Sequence, residues 1–257
     1  MNSELITEYI ITWIKNYCSK NRITSLVIGV SGGIDSALTS TLCAETKIKT
    51  IVVSMPIHQN KNQLKLAKKH INWLKEKYPN VKSNNINLGP VFDVFKNTIP
   101  KDLRVNLGLA NSKARLRMTT LYQVASSTNG IVVGTGNKIE DFCIGFFTKY
   151  GDGGVDISPI GDLLKSEVYL LAKNLEIIKD IQVSEPTDGL WGDNRTDRDQ
   201  IGATYEEIEW AMKNLHRTDL NNHEKELVKL YKKHNENNCH KMNPVPICLI
   251  PKKIKKN

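Results

Sequence analysis

Two glycine turns hold the residues best suited to chemistry. The first, Ser31-Gly32-Gly33 in "LVIGVSGGIDSALTSTL", is followed at once by Asp35 and Ser36. The β-branched run ending at Val30 reads as a buried strand, and Ala37, Leu38, Leu42 and Ala44 read as a helix. A turn from strand to helix presents unpaired backbone N–H groups and the positive end of a helix dipole, a setting that suits phosphate. Glycine there lets an anion come close to the backbone. The candidate phosphate loop is therefore Gly29, Val30, Ser31, Gly32, Gly33, Ile34, Asp35 and Ser36. It lacks the Lys of a GxxxxGK[ST] loop, and Asp35 is instead a hard oxygen ligand suited to Mg²⁺. A loop that binds pyrophosphate beside a metal suits cleavage of ATP between its α and β phosphates. An ordinary helix start with an acidic residue near its dipole has the same local sequence.

The second turn, "VVGTGNKIE", ends in Glu140. If both turns lie at one sheet edge, Asp35 and Glu140 can share a Mg²⁺ and Thr135 can donate to a phosphate. Alternatively Glu140 is a helix cap. On "NSKARLRMTTLYQVA", offsets of four, three and four place Asn111, Arg115, Met118 and Tyr122 on one stripe. An Arg there either forks onto an anion or lies along apolar neighbours. The glycine-rich "TKYGDGGVD" carries Lys149, Asp152 and Asp156, either converging on a polar ligand or closing a turn on their own backbone. Lys165 and Thr187 read by themselves as a surface lysine and a turn threonine.

These residues need elements to position them. Strands at 26–30, 50–56, 84–88 and 130–136 alternate with helices at about 35–46 and 61–77 and two more ending at Ser127. That alternation predicts an α/β fold: a doubly wound, mostly parallel sheet with helices on both faces. Ligands in such sheets bind beyond the carboxyl ends of the strands, where both glycine turns fall. The first helix is expected to bury Leu5, Tyr9, Ile10, Trp13, Ile14 and Tyr17. From 141 the chain reads as an ordered loop, with helix again at about 165–175, a polar lid over 184–204, and helices at about 205–215 and 222–236. One domain spanning 1–257 is expected, with its core at about 22–175 and a lid and helical part at about 176–257.

Composition narrows the function classes. At 257 residues, 40% hydrophobic and 25% charged, the chain has the profile of an ordinary globular protein. No apolar run approaches a membrane span, and the amino-terminal stretch lacks the features of a secretion signal, so a cytoplasmic location is expected. Five cysteines without a CxxC pair argue against a disulfide framework or structural zinc. His58, His70, His216, His223 and His234 show no metal-ligand spacing. The net charge of +9 comes with only 7% aromatics and no basic–aromatic interleaving, which favours anionic small molecules over nucleic acid.

Together, "SGGIDSA", "NSKARLRMTTLY", "GTGNKIE", "FFTKYGDGGVDISPIGDLLKSEV" and "EPTDGLW" resemble, in order and spacing, the ammonia-dependent NAD⁺ synthetases, which are N-type ATP pyrophosphatases. The resemblance covers roughly residues 5 to 250. It implies a homodimer that amidates deamido-NAD⁺ with ammonia and ATP, through an adenylated carboxylate, to give NAD⁺, AMP and pyrophosphate. It also implies that Gly29 to Ser36, Thr135, Lys165 and Thr187 contact ATP and that Asp35 and Glu140 hold Mg²⁺. Arg115, Lys149, Asp156, His240 and Lys241 would bind deamido-NAD⁺. Asp152 and Lys165 would be catalytic, Asp152 taking the ammonium proton. The chain departs from the usual lid pattern Gly-Gln-Thr-Asp-Glu, with Arg195 and Arg198 in "NRTDRD". At 257 residues it is expected to lack the glutaminase domain of larger synthetases, so free ammonia is the implied nitrogen source unless a separate chain delivers it. Other readings are a tRNA-modifying ligase or thiolase of the same superfamily, or a nucleotide-binding module without catalysis.

Overall fold

The apolar runs around Val27 and Val52 become the central strands of a four-stranded parallel sheet. A computed structural model describes residues 2–187, 189–191 and 195–255. Asp188 of the "EPTDGLW" motif, positions 192–194 of the expected lid, and positions 1, 256 and 257 of the expected domain lie outside the described residues.

In chain order the elements are α1 (Ser3–Asn21), β1 (Ser25–Gly29), α2 (Ile34–Glu45), β2 (Lys49–Ser54), α3 (Lys61–Lys77), β3 (Val81–Asn85) and α4 (Gly89–Thr98). After a 3₁₀ turn at Lys101–Leu103 come α5 (Asn106–Ser126), β4 (Gly130–Val132) and a π-helix (Lys138–Ile144). The chain ends with α6 (Lys165–Asn174), α7 (Lys179–Gln182), α8 (Asp197–Ile201), α9 (Tyr205–Lys213), α10 (Asn222–Met242) and α11 (Lys252–Lys255).

The strand order is β3-β2-β1-β4, so the chain winds outward through β2 and β3 and returns to place β4 on the other side of β1. That reversal opens a crevice between the carboxyl ends of β1 and β4, the usual ligand position in doubly wound sheets. Side chains alternate across the sheet. Leu26 and Ile28 join a core with α1, α2 and α6, whereas Val27, Ile51, Val53 and Val132 face α4 and α5. Burying each such side chain contributes roughly 1.5–3 kcal/mol. A separate apolar cluster joins the π-helix to α8, α9 and α10 through Ile139, Ile144, Ile201, Ile208 and Leu227.

Several boundaries differ from the sequence reading. β3 lies at Val81–Asn85 rather than 84–88, because as a polar edge strand it takes its register from pairing with β2, from Thr50↔Val81 to Ser54↔Asn85. β4 stops at Val132, after which Val133 bridges to Ile157 and Gly134 N–H donates to the Ile157 carbonyl. The expected loop from 141 is instead π-helical at its start, and the buried Ile139, Cys143 and Ile144 follow its wider turn, not a 3.6-residue period. In α1 the buried stripe is Thr7, Ile10, Ile14 and Cys18, while Leu5, Tyr9 and Trp13 are exposed. Thr7, Ile10, Ile14 and Cys18 follow one another at offsets of three and four, which sets the face turned to the core. α10 runs on to Met242, so His240 and Lys241 sit in its last turn.

The start of α6 is held from outside. The buried Glu209 of α9 accepts from Ser166 N–H (2.9 Å) and Ser166 Oγ (2.8 Å), and Glu167 accepts from Leu164 N–H (2.8 Å). Glu209→Ala leaves the Ser166 N–H without this acceptor and is expected to cost about 2 kcal/mol in urea unfolding. Glu209→Gln, which keeps an acceptor oxygen, should cost less than half as much.

Candidate active site

Three charged side chains meet in the crevice between β1 and β4. Lys165, the first residue of α6, places Nζ 2.6 Å from Asp35 Oδ2 and 2.9 Å from Glu140 Oε1. Its side chain is 3% exposed. Asp35 stands in the first turn of α2 and Glu140 in the first turn of the π-helix. Asn137, fully buried, fastens the two together: its Oδ1 caps the π-helix at Glu140 N–H (3.1 Å) and its Nδ2 donates to Asp35 Oδ1 (2.9 Å). Tyr205 OH lies 2.5 Å from Glu140 Oε1 and 2.9 Å from Asp197 Oδ2, with its ring 4.6 Å from Lys165 Nζ.

These contacts set the charge states. Burial works to lower Lys165, but Asp35 and Glu140 outweigh it and hold the ammonium above the ordinary lysine range. Burial raises Asp35, and Glu140 adds to the rise against the pull of Lys165. Burial also works to raise Glu140, yet Lys165 and the Tyr205 hydroxyl outweigh it and leave this carboxyl below its ordinary value. Burial and then Glu140 and Asp197 push the Tyr205 phenol up, so it remains a donor.

The loop from Gly29 to Ser36 lines the same cleft as Thr135, Glu140, Asp152, Lys165 and Thr187. Ser31 and Ser36 tie the loop down: Ser36 Oγ donates to Gly33 O (3.0 Å), and Ser31 Oγ accepts from Gly33 N–H (3.2 Å). Gly32 has φ +94°, and a Cβ there would sit 2.7 Å from the Gln63 carbonyl. Its glycine is thus required by backbone shape and by α3. A Cβ on Gly33 would meet only Ser31 Oγ at 3.4 Å, so this residue leaves room for an anion over the helix start.

The other candidates stand apart from this lining. Arg115 Nε and Nη2 donate to Lys149 O at 3.3 Å, and Lys149 Nζ donates to His240 O at 2.6 Å. Lys241 Nζ reaches Phe147 O at 2.8 Å, and Asp156 accepts from Val132 N–H (2.7 Å) and Tyr122 OH (3.1 Å). His240 is exposed. The stripe on α5 faces the loop 147–156 along its length: Asn111 accepts from Thr148 Oγ1 (2.8 Å), Arg115 holds Lys149 O, Met118 packs at Gly154 and Tyr122 donates to Asp156. In the lid region Lys113 Nζ donates to Leu190 O (2.7 Å), and the Arg195 guanidinium stacks 4.3 Å from the Trp191 ring. Thr187 Oγ1 donates to Arg195 O at 3.1 Å.

Sequence reasoning missed Asn137, Asp141, Asp197 and Tyr205. Asn137 had a signal, an Asn three residues before a Glu, which is a helix-start pattern. Tyr205 had none, lying 65 residues from Glu140 in the chain. Asp141 stands over Gly136, where a Cβ would overlap its carboxylate. Among the described residues no group of three or more His, Cys, Asp or Glu is arranged to hold a metal. A divalent cation at Asp35 and Glu140 would therefore complete its shell with phosphate and water oxygens.

Residues 6–245 match the family model of NAD synthase. The chain belongs to the NAD synthase family. It is 38% identical over 214 residues to an NH₃-dependent NAD⁺ synthetase of Carboxydothermus hydrogenoformans, covering 81% of this chain and 85% of that one. A counterpart in Sulfolobus acidocaldarius is 37% identical over 213 residues, covering 81% and 73%. An NMN synthetase structure from Francisella tularensis superposes with TM-score 0.86 and 29% identity over 98% of this chain and 99% of that one. The NH₃-dependent NAD synthetase of Campylobacter jejuni gives 0.78 and 28% over 97% and 100%. The parallel sheet and its flanking helices are thus those of the NAD synthase family.

Asp141 gives a test of the site's electrostatics. Burial first, then Asp152, Glu140 and Asp35, hold its carboxyl well above the ordinary value. A carboxyl raised in the folded state costs no stability below its unfolded value near 3.8, and the cost grows as pH rises through the folded value. Asp141→Asn should therefore raise the thermal midpoint at pH 8 by roughly 2–4 °C. The gain should shrink toward zero as the scan is repeated at lower pH.

Proposed function

We propose that this chain amidates the carboxylate of deamido-NAD⁺ with free ammonia, using ATP. The observation that carries the reading is the junction of Asp35, Glu140 and Lys165 beneath a glycine turn at the switch point of the sheet. The substrate carboxylate is a poor electrophile. Its oxygen attacks the α-phosphorus of ATP, expelling pyrophosphate and leaving an acyl adenylate. Ammonia then adds to the acyl carbon and AMP departs, giving the amide.

The backbone at Gly32 and the start of α2 suit the departing pyrophosphate, and Lys165 supplies a positive charge beside it. Thr135 and Thr187, which line the same cleft, are assigned to phosphate. Asp35 and Glu140 have the hard oxygen donors that fit Mg²⁺, and the ion would supply charge neutralisation for the pyrophosphate. Asp152, within the cleft, is assigned the ammonium proton. The segment 184–204 is assigned the lid that keeps water from the adenylate. Arg115 of α5, Lys149 and Asp156 of the loop 147–156, and His240 and Lys241 at the end of α10 are assigned the dinucleotide. The whole chain acts as one synthetase domain, placed in the cytoplasm; no described helix is long and apolar enough to cross a membrane.

A second copy is the partner we assign to the face between α4 and α5. Val91, Val94, Leu103, Val105 and Leu107 are all more than half exposed there. An apolar patch of this kind marks an interface. A second acceptor is also considered, because the overlay on the Francisella NMN synthetase spans nearly the whole of both chains. The carboxylate precursor of NMN offers the same reacting group without the adenylyl half of deamido-NAD⁺.

Purified protein incubated with ATP, Mg²⁺, ammonium and either acceptor decides between them. NAD⁺ appearing in step with AMP and pyrophosphate is the expected result. Faster turnover with the mononucleotide would move the assignment to NMN, and no AMP with either would overturn the ligase reading. Asp35→Ala should reduce turnover at least about a hundredfold while leaving the far-ultraviolet circular dichroism unchanged. For the interface, Val94→Asp with Leu107→Asp should convert a dimer to a monomer in light scattering; an unchanged mass would reject this face.

A further inference from the structure

Asp35 and Glu140 have been assigned to a cation, yet the point where their carboxylates converge is already filled. Lys165 Nζ lies there, within hydrogen-bond distance of both. The fit is built rather than incidental. Asn137 fixes Asp35 from one side, Tyr205 OH meets the same Glu140 oxygen that Nζ meets, and the Tyr205 ring closes over the ammonium. The lysine is 3% exposed and each carboxylate 16% exposed, so water screens these charges little. A divalent cation entering this point would meet a fixed positive charge at contact distance. It would also compete for the same two oxygens. The cation and the ammonium cannot both occupy the place.

We propose that Lys165 is the built-in counter-ion of the metal site: it holds Asp35 and Glu140 in the free protein and yields to a divalent cation only when nucleotide phosphates offer its ammonium other acceptors. Metal and nucleotide then enter together, and the empty site is protected from free divalent cations. The inference rests on the functional reading above for the nucleotide being ATP and for a divalent cation at Asp35 and Glu140.

Mn²⁺ is the probe, followed by the loss of its free spin-resonance signal on titration with protein. Without nucleotide the wild-type protein should bind Mn²⁺ weakly. Lys165→Met, which keeps the volume of the side chain and removes its charge, should bind at least ten times more tightly. Adding Asp35→Asn to that variant should abolish the gain. A Lys165→Met protein that is folded by circular dichroism and gains nothing would overturn the proposal.

Should the variant fail to fold, wild-type crystals give an independent answer by anomalous diffraction. Soaked with Mn²⁺ alone they should show no peak between Asp35 and Glu140. With Mn²⁺ and an ATP analogue carrying a methylene between its α and β phosphorus atoms, a peak should appear and Nζ should leave at least one carboxylate. A metal seated without nucleotide, or Nζ still on both carboxylates beside the metal, would sink the idea. Neither readout needs turnover. Failed amidation with the expected Mn²⁺ results would therefore remove the functional reading and leave this one intact.

Discussion

A lysine buried between two carboxylates is the constraint around which this structure is arranged. Removing one partner from such a group typically costs several kcal/mol, because a charge is then left in a poorly solvated place. Each nearby element therefore serves the triad. The turn after β1 starts α2 at the point that delivers Asp35, and Asn137 starts the π-helix that delivers Glu140. Glu209 on α9 fixes the first turn of α6, which delivers Lys165. The doubly wound sheet brings these starts together, since β1 and β4 are neighbours although about a hundred residues separate them.

Beyond the triad, polar contacts lead outward in two directions. Through Tyr205 they reach Asp197, the first residue of α8, and so connect the centre to the segment carrying Arg195 and Thr187. On the other side, the α5 stripe carries the loop 147–156 against which the end of α10 rests. The cleft and its rim are thus supported by different helices. The departure at Arg195 falls in the first direction, where the guanidinium lies on the Trp191 ring.

How much of this could be read from the sequence follows from the range of each interaction. The strands at Val27 and Val52 and the two glycine turns were legible because hydrophobic runs and turn chemistry are local. So was the α5 stripe, whose offsets place its residues on one face of a helix. β3 was displaced because an edge strand of polar residues has no burial pattern of its own. The π-helix was read as loop because its buried residues keep a wider period than the 3.6 used to search for helices. The α1 face was misassigned because its apolar residues fall on more than one side of the helix, and the buried side also takes Thr7 and Cys18. Lys165 was placed in the site by family resemblance, whereas its ion pairs, and the contact of Tyr205 with Glu140, depend on contacts across 25 to 130 residues that no short window contains.

Those separations bear on how the chain acquires its centre during synthesis. Asp35 leaves the ribosome long before Glu140, Lys165 and Tyr205, so the early strands can pair before any of its charged partners exists. Contacts between distant parts of a chain form late because closing long loops costs entropy. The last member, Tyr205, belongs to the helical cluster around α9 and α10, so the ion centre closes only when that cluster docks. A nascent chain ending before α9 would hold all four strands and no finished centre, with the apolar face of the π-helix not yet covered by α9 and α10.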